Sequence, residues 1–390
     1  MQKQLANSIH PPAKIGIIGG GQLGKMITVV AKRMGYHVTV LDPNPLSPAG
    51  QVADQQITAG FSDAESIHEL VACVDVSTYE FEHIDVETLI LMEQEGYPIY
   101  PSGSTLKIIQ DKYNQKKMLQ HFGLLVPEFY KISSYLDLLA CSDKLGFPFV
   151  VKYRKDGYDG KGNYIVHEPG QMKLLESSIK ENQIMAERYI DFDCELSVVV
   201  ARAADGQTRQ YPVAENIHEH NILRLTKVPA NISCDVKQKI NDICDKICNG
   251  LDDHGVFCIE LFLSRDGKVY VNEIAPRPHN SGHYSIEACV TSQYEQLVRI
   301  LTRLPLGSVR QRSPCVMANI LGDETTKGSY SFDGLDEILE IEDLHLHIYG
   351  KSNTDYLKKI GHITVLDENI SAAEQKCLTA LQKLKIVPDR

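Results

Sequence analysis

The order of hydrophobic and polar positions near the amino terminus predicts a strand, a helix and a second strand. Short apolar runs at 14–18 and 36–41 flank an amphipathic segment at 25–34. A third apolar run, at 74–78, is followed by Tyr79-Glu80-Phe81-Glu82. Strands that alternate with helices form parallel sheets and bind ligands at their carboxyl ends, so this part predicts an α/β domain with a site near Glu80.

The remaining pattern predicts a helix, a series of strands and a closing helix. The first of these helices covers 104–122 and ends before Gly123, a common helix stop signal. The later elements are predicted strands at 147–153, 184–189, 195–201, 256–263, 268–274, 316–320, 345–349 and 362–366, and a helix at 372–383. Asp266-Gly267 is a hairpin turn signal, so 256–274 predicts a β-hairpin.

This hairpin carries candidate metal ligands. With Asp266-Gly267 as a two-residue turn, Glu260 lies directly opposite Glu273. Facing carboxylates repel each other and destabilise a strand pair, but a bound cation reverses that effect, and carboxylate oxygens suit Mg²⁺. A four-residue loop would instead change the register and leave both glutamates facing solvent.

The loop after the hairpin carries candidate oxyanion ligands. Between Ala275 and His283 it contains a guanidinium, two imidazoles and an amide, and Arg277 can bind a planar oxyanion through two parallel N–H bonds. A Mg²⁺ site next to an oxyanion site fits phosphoryl transfer to a carboxylate-like acceptor, where positioning and charge stabilisation supply most of the catalysis.

Composition narrows the class of protein. A chain of 390 residues predicts two or three domains, and a net charge of −11 argues against nucleic acid or a membrane surface as partner. No apolar run approaches the roughly 18 residues that a membrane span needs. Residues 1–13 are interpreted as a loose tail without a signal-peptide core, and the ten scattered cysteines favour the cytosol.

The glycine-rich segment 19–24 admits several interpretations. It matches G-x-G-x-x-G, and Asp42 follows at the spacing of a dinucleotide fingerprint, which alone favours an NAD-dependent dehydrogenase. The same loop can hold another phosphate at a helix amino terminus, or it can serve only as a tight turn.

A second glycine-rich segment, 157–162, follows the predicted strand that carries Lys152. Its backbone amides can wrap triphosphate oxygens while lysines add positive charge. The alternative is the tip of a mobile surface hairpin. It does not match a nucleotide-binding Walker loop, and the chain has no kinase catalytic-loop pattern.

Taken in order, these motifs resemble a known family. Lys152, the glycine loop after it, Glu187, Glu195 and the Glu260/Glu273 pair resemble the ATP-grasp superfamily. Further segments are similar to the 5-(carboxyamino)imidazole ribonucleotide synthase family of purine biosynthesis: 19–24, 78–82, 157–162, 215–218, 272–277, 279–283 and 349–351. The resemblance extends from residue 14 to about 366.

The resemblance implies an α/β fold in three parts after the tail at 1–13. These are a Rossmann-like domain at 14–103, an ATP-grasp domain at 104–312 with a mobile subdomain at about 125–190, and a small C-terminal α+β domain at 313–390. It also implies a cytoplasmic homodimer without nucleic-acid or membrane partners.

The resemblance further implies roles for individual residues. The ATP-binding residues are Lys112, Lys152, Gly157, Tyr158, Asp159, Gly160, Lys161, Gly162, Asn163, Glu187, Arg188, Tyr189, Ile190, Glu195, His218, Asn272 and Glu273. The ribonucleotide-binding residues are Gly21, Gln22, Glu80, Tyr158, Lys351 and Lys358. The catalytic residues around bicarbonate are Arg277, His279, Asn280 and Lys359, and Glu260 and Glu273 carry Mg²⁺.

The implied reaction is ATP-dependent carboxylation of 5-aminoimidazole ribonucleotide with bicarbonate, through carboxyphosphate. An ATP-grasp ligase or transformylase with another acceptor, such as formate, is the alternative within the superfamily. One segment departs from the family, which commonly has two arginines after its Tyr-Gly-Lys motif. This chain has Asp355 and Lys358 at those positions, which changes how the substrate phosphate is held.

Overall fold

The structure is a computed structural model and describes residues 7–155, 157, 162–181 and 183–389. Its four parts follow one another along the chain, the last two share one large β-sheet, and helices pack against the sheets, as predicted for the α/β class. Within the described residues, no helix combines the length and the apolar character that a membrane crossing requires.

The first part is a parallel sheet covered by helices, with its strands in the order β3-β2-β1-β4. In chain order its elements are β1 (Lys14–Ile18), α1 (Gln22–Arg33), β2 (His37–Leu41), β3 (Gln55–Ile57), α2 (Ala64–Ala72), β4 (Val76–Tyr79) and α3 (Val86–Gln94). The apolar residues of β1 and β2 are fully buried, which accounts for their short continuous apolar runs.

The prediction of one helix at 104–122 is wrong, because the chain forms α4 (Gly103–Gln110) and α5 (Lys112–His121) instead. Asp111 between them has an extended backbone, and its carboxylate caps α5 by accepting two backbone N–H groups of the first turn. The Arg154 guanidinium donates to the same carboxylate. The break therefore anchors the start of α5 to the next part of the chain.

That next part is a four-stranded antiparallel sheet in the order β5-β8-β6-β7. Its elements are β5 (Phe129–Ile132), α6 (Tyr135–Leu145), β6 (Phe149–Tyr153), β7 (Asn163–Val166), a 3₁₀ helix (Pro169–Leu175), α7 (Glu176–Glu181) and β8 (Ile184–Arg188). The register of β6 with β8 puts Lys152 and Glu187 on the same face of this sheet.

The central part is the larger portion of a nine-stranded sheet. Its elements are β9 (Phe192–Arg202), β10 (Thr208–Gln210), β11 (Ala214–Glu219), β12 (Ile222–Val228), α8 (Cys234–Leu251), β13 (Gly255–Ser264), β14 (Val269–Ala275), a 3₁₀ helix (Asn280–Gly282), α9 (Ser285–Ala288) and α10 (Gln293–Leu301). Apolar residues of β9, α8 and β13 form one buried cluster under this sheet.

The predicted hairpin is β13 and β14, but its turn differs from the prediction. Ser264 pairs with Lys268, so the loop has three residues and ends at Gly267 with a positive φ of 74°. An irregularity between Glu260 and Leu261 then shifts the register again. The two deviations cancel, and Glu260 lies opposite Glu273 as predicted.

The C-terminal part is continuous with the central sheet rather than a separate layer. Its elements are β15 (Cys315–Leu321), β16 (Tyr330–Asp333), α11 (Leu335–Leu339), β17 (Leu344–Ile348), β18 (Lys359–Leu366), α12 (Ile370–Lys383) and β19 (Lys385–Pro388). Strand β15 pairs with β12, so the sheet runs β14-β13-β9-β11-β12-β15-β18-β17.

The interpretation of residues 1–13 as a loose tail is wrong for its described end, residues 7–13. The Ile9 backbone N–H donates to the Thr302 carbonyl at 2.9 Å, and its own carbonyl accepts from the Tyr36 hydroxyl at 2.9 Å. The Ser8 hydroxyl donates to the Arg303 carbonyl at 3.0 Å. These bonds fasten the segment between the first part and the end of α10.

Candidate active site

A cavity of about 880 Å³ lies where the four parts meet, and most of the predicted site residues line it. The predicted residues that line it are Gln22, Glu80, Lys112, Lys152, Gly157, Asn163, Glu187, Arg188, Tyr189, Ile190, Glu195, His218, Glu260, Asn272, Glu273, Arg277, His279, Asn280 and Lys359. Gly21, Gly162, Lys351 and Lys358 are not in this lining, and Tyr158, Asp159, Gly160 and Lys161 lie outside the described residues.

A buried cluster of two lysines and one glutamate lies on one side of the cavity. The Glu187 carboxylate is 2.6 Å from Lys152 Nζ and 2.9 Å from Lys116 Nζ. Lys152 also donates to the side chain of Asn272 at 2.9 Å, and Lys116 donates to its carbonyl at 3.1 Å. Glu187, predicted to bind ATP, lines the cavity, and its side chain is paired with these two lysines.

Lys116 is a site residue that the sequence analysis did not find. It follows Lys112 on α5 at a spacing of one helical turn, which places both lysines on the same side of the helix. That spacing was the available signal. Without the fold, however, nothing in the sequence pairs Lys116 with Glu187.

Charge and burial oppose each other in this cluster. Burial acts to raise the pKa of Glu187, but the two ammonium groups outweigh burial and lower the pKa to about 2. Burial lowers the pKa of Lys116 to about 8, against the opposite effect of Glu187. The cluster therefore sets two lysine side chains against one carboxylate, and Lys152 and Glu187 line the cavity.

Replacing Glu187 with Gln is expected to lower the free energy of unfolding by about 3–5 kcal/mol at pH 7, because two buried ammonium groups lose their counterion. The pKa of Glu187 is lowered from 4.5 to about 2, so its stabilisation is present above about pH 4.5 and is lost as the pH falls towards 2. Urea denaturation of wild type and variant between pH 7 and pH 2 measures both effects.

The matched control for this prediction is Glu128→Gln. Glu128 also pairs with a cation, Arg188, at 2.5 Å, but both side chains are more than 40 % exposed. The loss of the Glu128 charge is expected to lower the free energy of unfolding by less than about 1 kcal/mol. If Glu187→Gln were as mild as the control, the buried cluster would not depend on the Glu187 charge.

Glu260 and Glu273 face each other in the cavity lining, but the side chains next to them differ. Glu273 pairs with Lys112, whereas Glu260 has the imidazole Nε2 of His279 at 3.4 Å. Burial and the Glu273 carboxylate raise the pKa of Glu260. Burial acts in the same direction on Glu273, but Lys112 and Lys152 outweigh it and lower the pKa of Glu273.

These two carboxylates fit a hard divalent cation. Among the described residues there is no group of three or more histidine, cysteine, aspartate and glutamate side chains that could hold a metal ion by itself. Mg²⁺ usually takes one or two carboxylates and completes its shell with water and substrate phosphates. Glu260 and Glu273 supply that number of ligands. The raised pKa of Glu260 shows that its negative charge is disfavoured beside Glu273, and a bound cation would stabilise that charge.

Glu195 and His218, both predicted to contact the nucleotide, form an ion pair at 3.0 Å. They project from the adjacent strands β9 and β11 into the cavity. Burial acts to lower the pKa of His218, but the hydrogen bond and charge of Glu195 outweigh it and raise the pKa.

Arg277, predicted to bind an oxyanion, already has one anionic partner. Its Nη2 is 2.9 Å from the carboxylate of Glu82, and Nη1 donates to the Pro278 carbonyl at 3.1 Å. Its Nε is buried and has no hydrogen-bond partner among the described residues. Glu82 is thus a second residue that the sequence analysis missed as a site residue, although its segment was singled out at the end of β4.

The buried side chain of Asn280 lines the same cavity as Arg277. The residue is 7 % exposed and lines the cavity, and neither its oxygen nor its nitrogen has a hydrogen-bond partner in the described part of the chain. A buried amide without partners is costly, so this position indicates a ligand that can both accept and donate hydrogen bonds.

The glycine-rich segment at 19–24 is bound to the protein itself. Asp42 accepts the Gly20 N–H at 2.8 Å, and Glu80 accepts the amides of Gly21 and Gly24. Glu80 thereby caps helix α1, which begins at Gln22 rather than at the predicted Lys25. With Asp42 and Glu80 engaged in this way, the dinucleotide interpretation of the segment does not hold.

The C-terminal lysines differ in their relation to this loop. Gln51 donates to the Gly350 carbonyl at 2.7 Å, and Lys25 of α1 donates to the Tyr349 carbonyl at 2.8 Å, so Lys351 is brought close to the first part. Burial raises the pKa of Glu80, and the charge of Lys351 acts in the opposite direction. Lys358 lies beyond the cavity lining.

Two sheets enclose a cavity that has buried lysines on one side and facing glutamates on the other. This arrangement defines the class of protein: it is an enzyme of the ATP-grasp type. Residues 117–294 match the ATP-grasp domain family, and residues 12–110 match the ribonucleotide synthetase preATP-grasp domain. Residues 315–376 match the phosphoribosylaminoimidazole carboxylase C-terminal domain. The chain belongs to the N5-carboxyaminoimidazole ribonucleotide synthase family, and is therefore an ATP-grasp ligase of purine biosynthesis.

Individual relatives support this assignment over nearly the whole chain. The N5-carboxyaminoimidazole ribonucleotide synthase of Bacillus subtilis (strain 168) is 41 % identical over 370 residues, which is 94 % of each chain. The crystal structure of the Thermotoga maritima synthetase has a TM-score of 0.89 and 46 % identity, and covers 97 % of this chain and 100 % of its own.

A third relative was crystallised with ligands. The Aspergillus clavatus N5-carboxyaminoimidazole synthase, in complex with ADP and 5-aminoimidazole ribonucleotide, has a TM-score of 0.87 and 31 % identity. The match covers 95 % of this chain and 98 % of that one.

Proposed function

We propose that the enzyme carboxylates 5-aminoimidazole ribonucleotide with bicarbonate and ATP, and that carboxyphosphate is the intermediate. The observation that carries this proposal is the buried amide of Asn280, which has no hydrogen-bond partner among the described residues, in a cavity that Arg277 and Lys152 also line. A ligand between these groups has to be anionic and has to both donate and accept hydrogen bonds. Bicarbonate has this chemistry.

The ATP site is proposed on the side of the cavity between the four-stranded antiparallel sheet and the nine-stranded sheet. Lys112 and Lys152 would contact phosphate oxygens, with Lys116 keeping the Glu187 carboxylate partly neutralised. The backbone at 187–190 and the Glu195–His218 pair would contact adenine and ribose. The glycine-rich segment 157–163, of which residues 158–161 lie outside the described part of the chain, is proposed to contact the phosphates.

Glu260 and Glu273 are proposed to hold Mg²⁺. When bound there, the cation would neutralise charge on the transferred phosphoryl group. Lys112 stays beside Glu273, so the protein supplies a second positive charge at the same position. Arg277, His279, Asn280 and Lys359 would hold bicarbonate in line with the phosphoryl group, and the exocyclic amine of the ribonucleotide would capture the carbon dioxide that carboxyphosphate releases.

The ribonucleotide is proposed to lie against the first part, next to Gln22 and Glu80. Its 5′-phosphate would be bound by Lys351 and Lys358. Asp355 occurs where the family commonly has an arginine, and it pairs with Lys327 at 3.3 Å and is largely exposed. This supports a phosphate site without Asp355.

Lys351→Ala and Lys358→Ala are each expected to raise the KM for the ribonucleotide about 10-fold. The substrate phosphate carries nearly two negative charges, and each variant removes one of the cations that bind it. The KM for ATP should stay within about two-fold. Lysine acts as a point charge, so the wild-type KM should rise with salt. Steady-state kinetics with one substrate varied at a time measures these constants.

Lys385→Ala is the control, since Lys385 is an exposed lysine on β19 of the same part of the chain. A change of the ATP constant alone in Lys351→Ala or Lys358→Ala would assign that lysine to the nucleotide.

The test of the reaction itself is ADP release, measured with bicarbonate and 5-aminoimidazole ribonucleotide added separately and together. The full rate is expected when both are present, with formation of the carboxylated ribonucleotide. Equal ADP release with formate in place of bicarbonate would support a transformylase instead. NAD binding in a parallel titration, without ATP binding, would contradict the proposal.

We also propose that the enzyme is a cytoplasmic homodimer. All ten cysteines are free, and seven of them are buried thiols, which suits a reducing compartment. Light scattering on the purified protein measures the oligomeric state, and a monomeric mass at micromolar concentration would contradict the dimer.

A further inference from the structure

The imidazole of His279 has two different surroundings. On one side, Nδ1 accepts the backbone N–H of Ser281 at 3.3 Å and lies 2.9 Å from the Ser281 hydroxyl. On the other side, Nε2 faces the cavity and the Glu260 carboxylate at 3.4 Å. A backbone N–H can only donate, so Nδ1 has to be the acceptor.

A chain of buried hydrogen bonds also favours Nδ1 of His279 as the acceptor. Thr226 donates to the Asn216 side-chain oxygen at 3.0 Å, and the Asn216 amide donates to the Ser197 hydroxyl at 2.8 Å. Ser197 in turn donates to Ser281 at 2.8 Å. The Ser281 hydroxyl lies 2.9 Å from Nδ1 of His279 and 3.6 Å from Cys258 Sγ, so its proton is assigned to the closer Nδ1. The hydroxyls of Ser197 and Ser281 each accept one bond and donate the next, so the chain runs from Thr226 to His279.

The members of this chain are buried, so they have to satisfy one another's hydrogen bonds. Thr226, Asn216, Ser197 and Ser281 are 0 %, 8 %, 1 % and 1 % exposed. Buried polar groups that satisfy one another resist rearrangement, because reversing one bond alone would leave a donor facing a donor. Four side chains on β12, β11, β9 and the loop after β14 thus all orient one imidazole.

We propose that Ser281, Ser197 and Asn216 are positioning residues that fix His279 as the neutral tautomer with its proton on Nε2, so that His279 is a hydrogen-bond donor to substrate and not a general base. The identity of that substrate rests on the proposed function: the acceptor would be an oxygen of bicarbonate or carboxyphosphate. With Nε2 already protonated and Nδ1 occupied, the ring has no lone pair free to remove a proton from the amine of the ribonucleotide.

The tautomer can be measured directly by ¹⁵N NMR of the enzyme labelled at histidine, without any substrate. The His279 signals are assigned by their disappearance in His279→Asn. The expected result is a protonated, pyrrole-type Nε2 and an unprotonated, pyridine-type Nδ1. Protonation at Nδ1 instead would overturn the proposal. Because no turnover is involved, this result is independent of whether the proposed reaction is correct.

Ser281→Ala tests the positioning role. Nδ1 then keeps only the longer bond from the backbone N–H, so the Nδ1-protonated form is expected to appear in the spectrum. The kcat should fall on the order of 10-fold, the size expected for one hydrogen bond on a positioned group, with the KM for ATP unchanged. An unchanged tautomer in this variant would show that the Ser281 hydroxyl does not position the ring.

The matched control is Ser285→Ala. Ser285 is also 1 % exposed and bonds within the same loop, to the Gly282 carbonyl at 2.6 Å and from the Gln293 N–H at 3.0 Å. It does not bond to His279, so Ser285→Ala should leave the tautomer unchanged even if it loosens the loop. Mixed tautomers in both variants would mean that loop packing, and not the hydroxyl, determines the proton position.

Two replacements of His279 separate a donor from a base. Glutamine can present an N–H at the distance of Nε2 but cannot act as a base, whereas alanine can do neither. His279→Gln is therefore expected to turn over at least about 10-fold faster than His279→Ala. Equal loss in both would contradict the donor role, and a wild-type enzyme inactive with bicarbonate and ribonucleotide would contradict the proposed function instead.

Discussion

Turnover of a Glu273→Gln enzyme is expected to fall by several hundred-fold or more, on the order of 10²–10³, the cost of losing one preorganised electrostatic contact in the transition state. Glutamine keeps the size of glutamate and removes the charge that is proposed to hold Mg²⁺ together with Glu260. The Lys112 ammonium also loses its partner and would compete with the cation for the same position.

The fold of this variant should survive. The loss of the Lys112 ion pair destabilises it, but the repulsion between Glu260 and Glu273 is relieved at the same time, so the two effects oppose each other. Circular dichroism and a thermal midpoint within a few degrees of the wild type, about the shift that 1 kcal/mol gives in a chain of this size, would establish this.

The control variant is Glu374→Gln, which also removes a glutamate from an ion pair with a lysine, Lys227, at 2.7 Å. Glu374 is on α12 and does not line the cavity. Near wild-type turnover of Glu273→Gln at saturating Mg²⁺ would remove the metal-binding role from this residue.

Arg277→Ala is expected to abolish bicarbonate-dependent ADP formation, with a loss of about 10²-fold or more, while ATP binding stays near normal. The guanidinium is the only cation that we assign to bicarbonate from the loop after β14, and its buried Nε has no hydrogen-bond partner among the described residues. Isothermal titration with ATP and a coupled ADP assay measure the two properties separately.

This substitution also leaves Glu82 without its partner, so a loss of activity has two possible causes. The double variant Arg277→Ala/Glu82→Gln separates them, because it removes the orphaned charge together with the arginine. It should fold better than the single variant and remain inactive. Recovery of bicarbonate-dependent ADP release in the double variant would mean that Arg277 only neutralises Glu82. ATP affinity lost in proportion to activity would assign Arg277 to the nucleotide.

The sequence predicted this site best where one local segment determines the geometry. The Glu260–Glu273 pairing depends on a hairpin whose turn residues are adjacent in the chain, and it was confirmed even though the loop has three residues. An irregularity in the strands compensated for the longer loop, and no local signal in the sequence predicts such an irregularity.

Partners from distant segments could not be predicted. Lys116 meets Glu187 and Arg277 meets Glu82 only because helix α5, the β5–β8 sheet and the end of β4 converge in space. The same limitation explains the missed helix break at Asp111, whose carboxylate is held by Arg154 from another sheet. Family resemblance supplied site residues that periodicity alone did not.

The pairing of β12 with β15 has a consequence for how this protein can be divided. Four registered residue pairs, from Leu225–Ala318 to Val228–Cys315, join the strands across what sequence alone treats as a domain boundary at 312/313. Cutting the chain at that boundary would turn the interior strand β12 into an open edge and would expose apolar residues such as Leu225. An open apolar edge strand promotes the addition of strands from other molecules. The C-terminal part is therefore not a detachable module, and fusions or truncations intended to keep the protein monodisperse belong elsewhere in the chain.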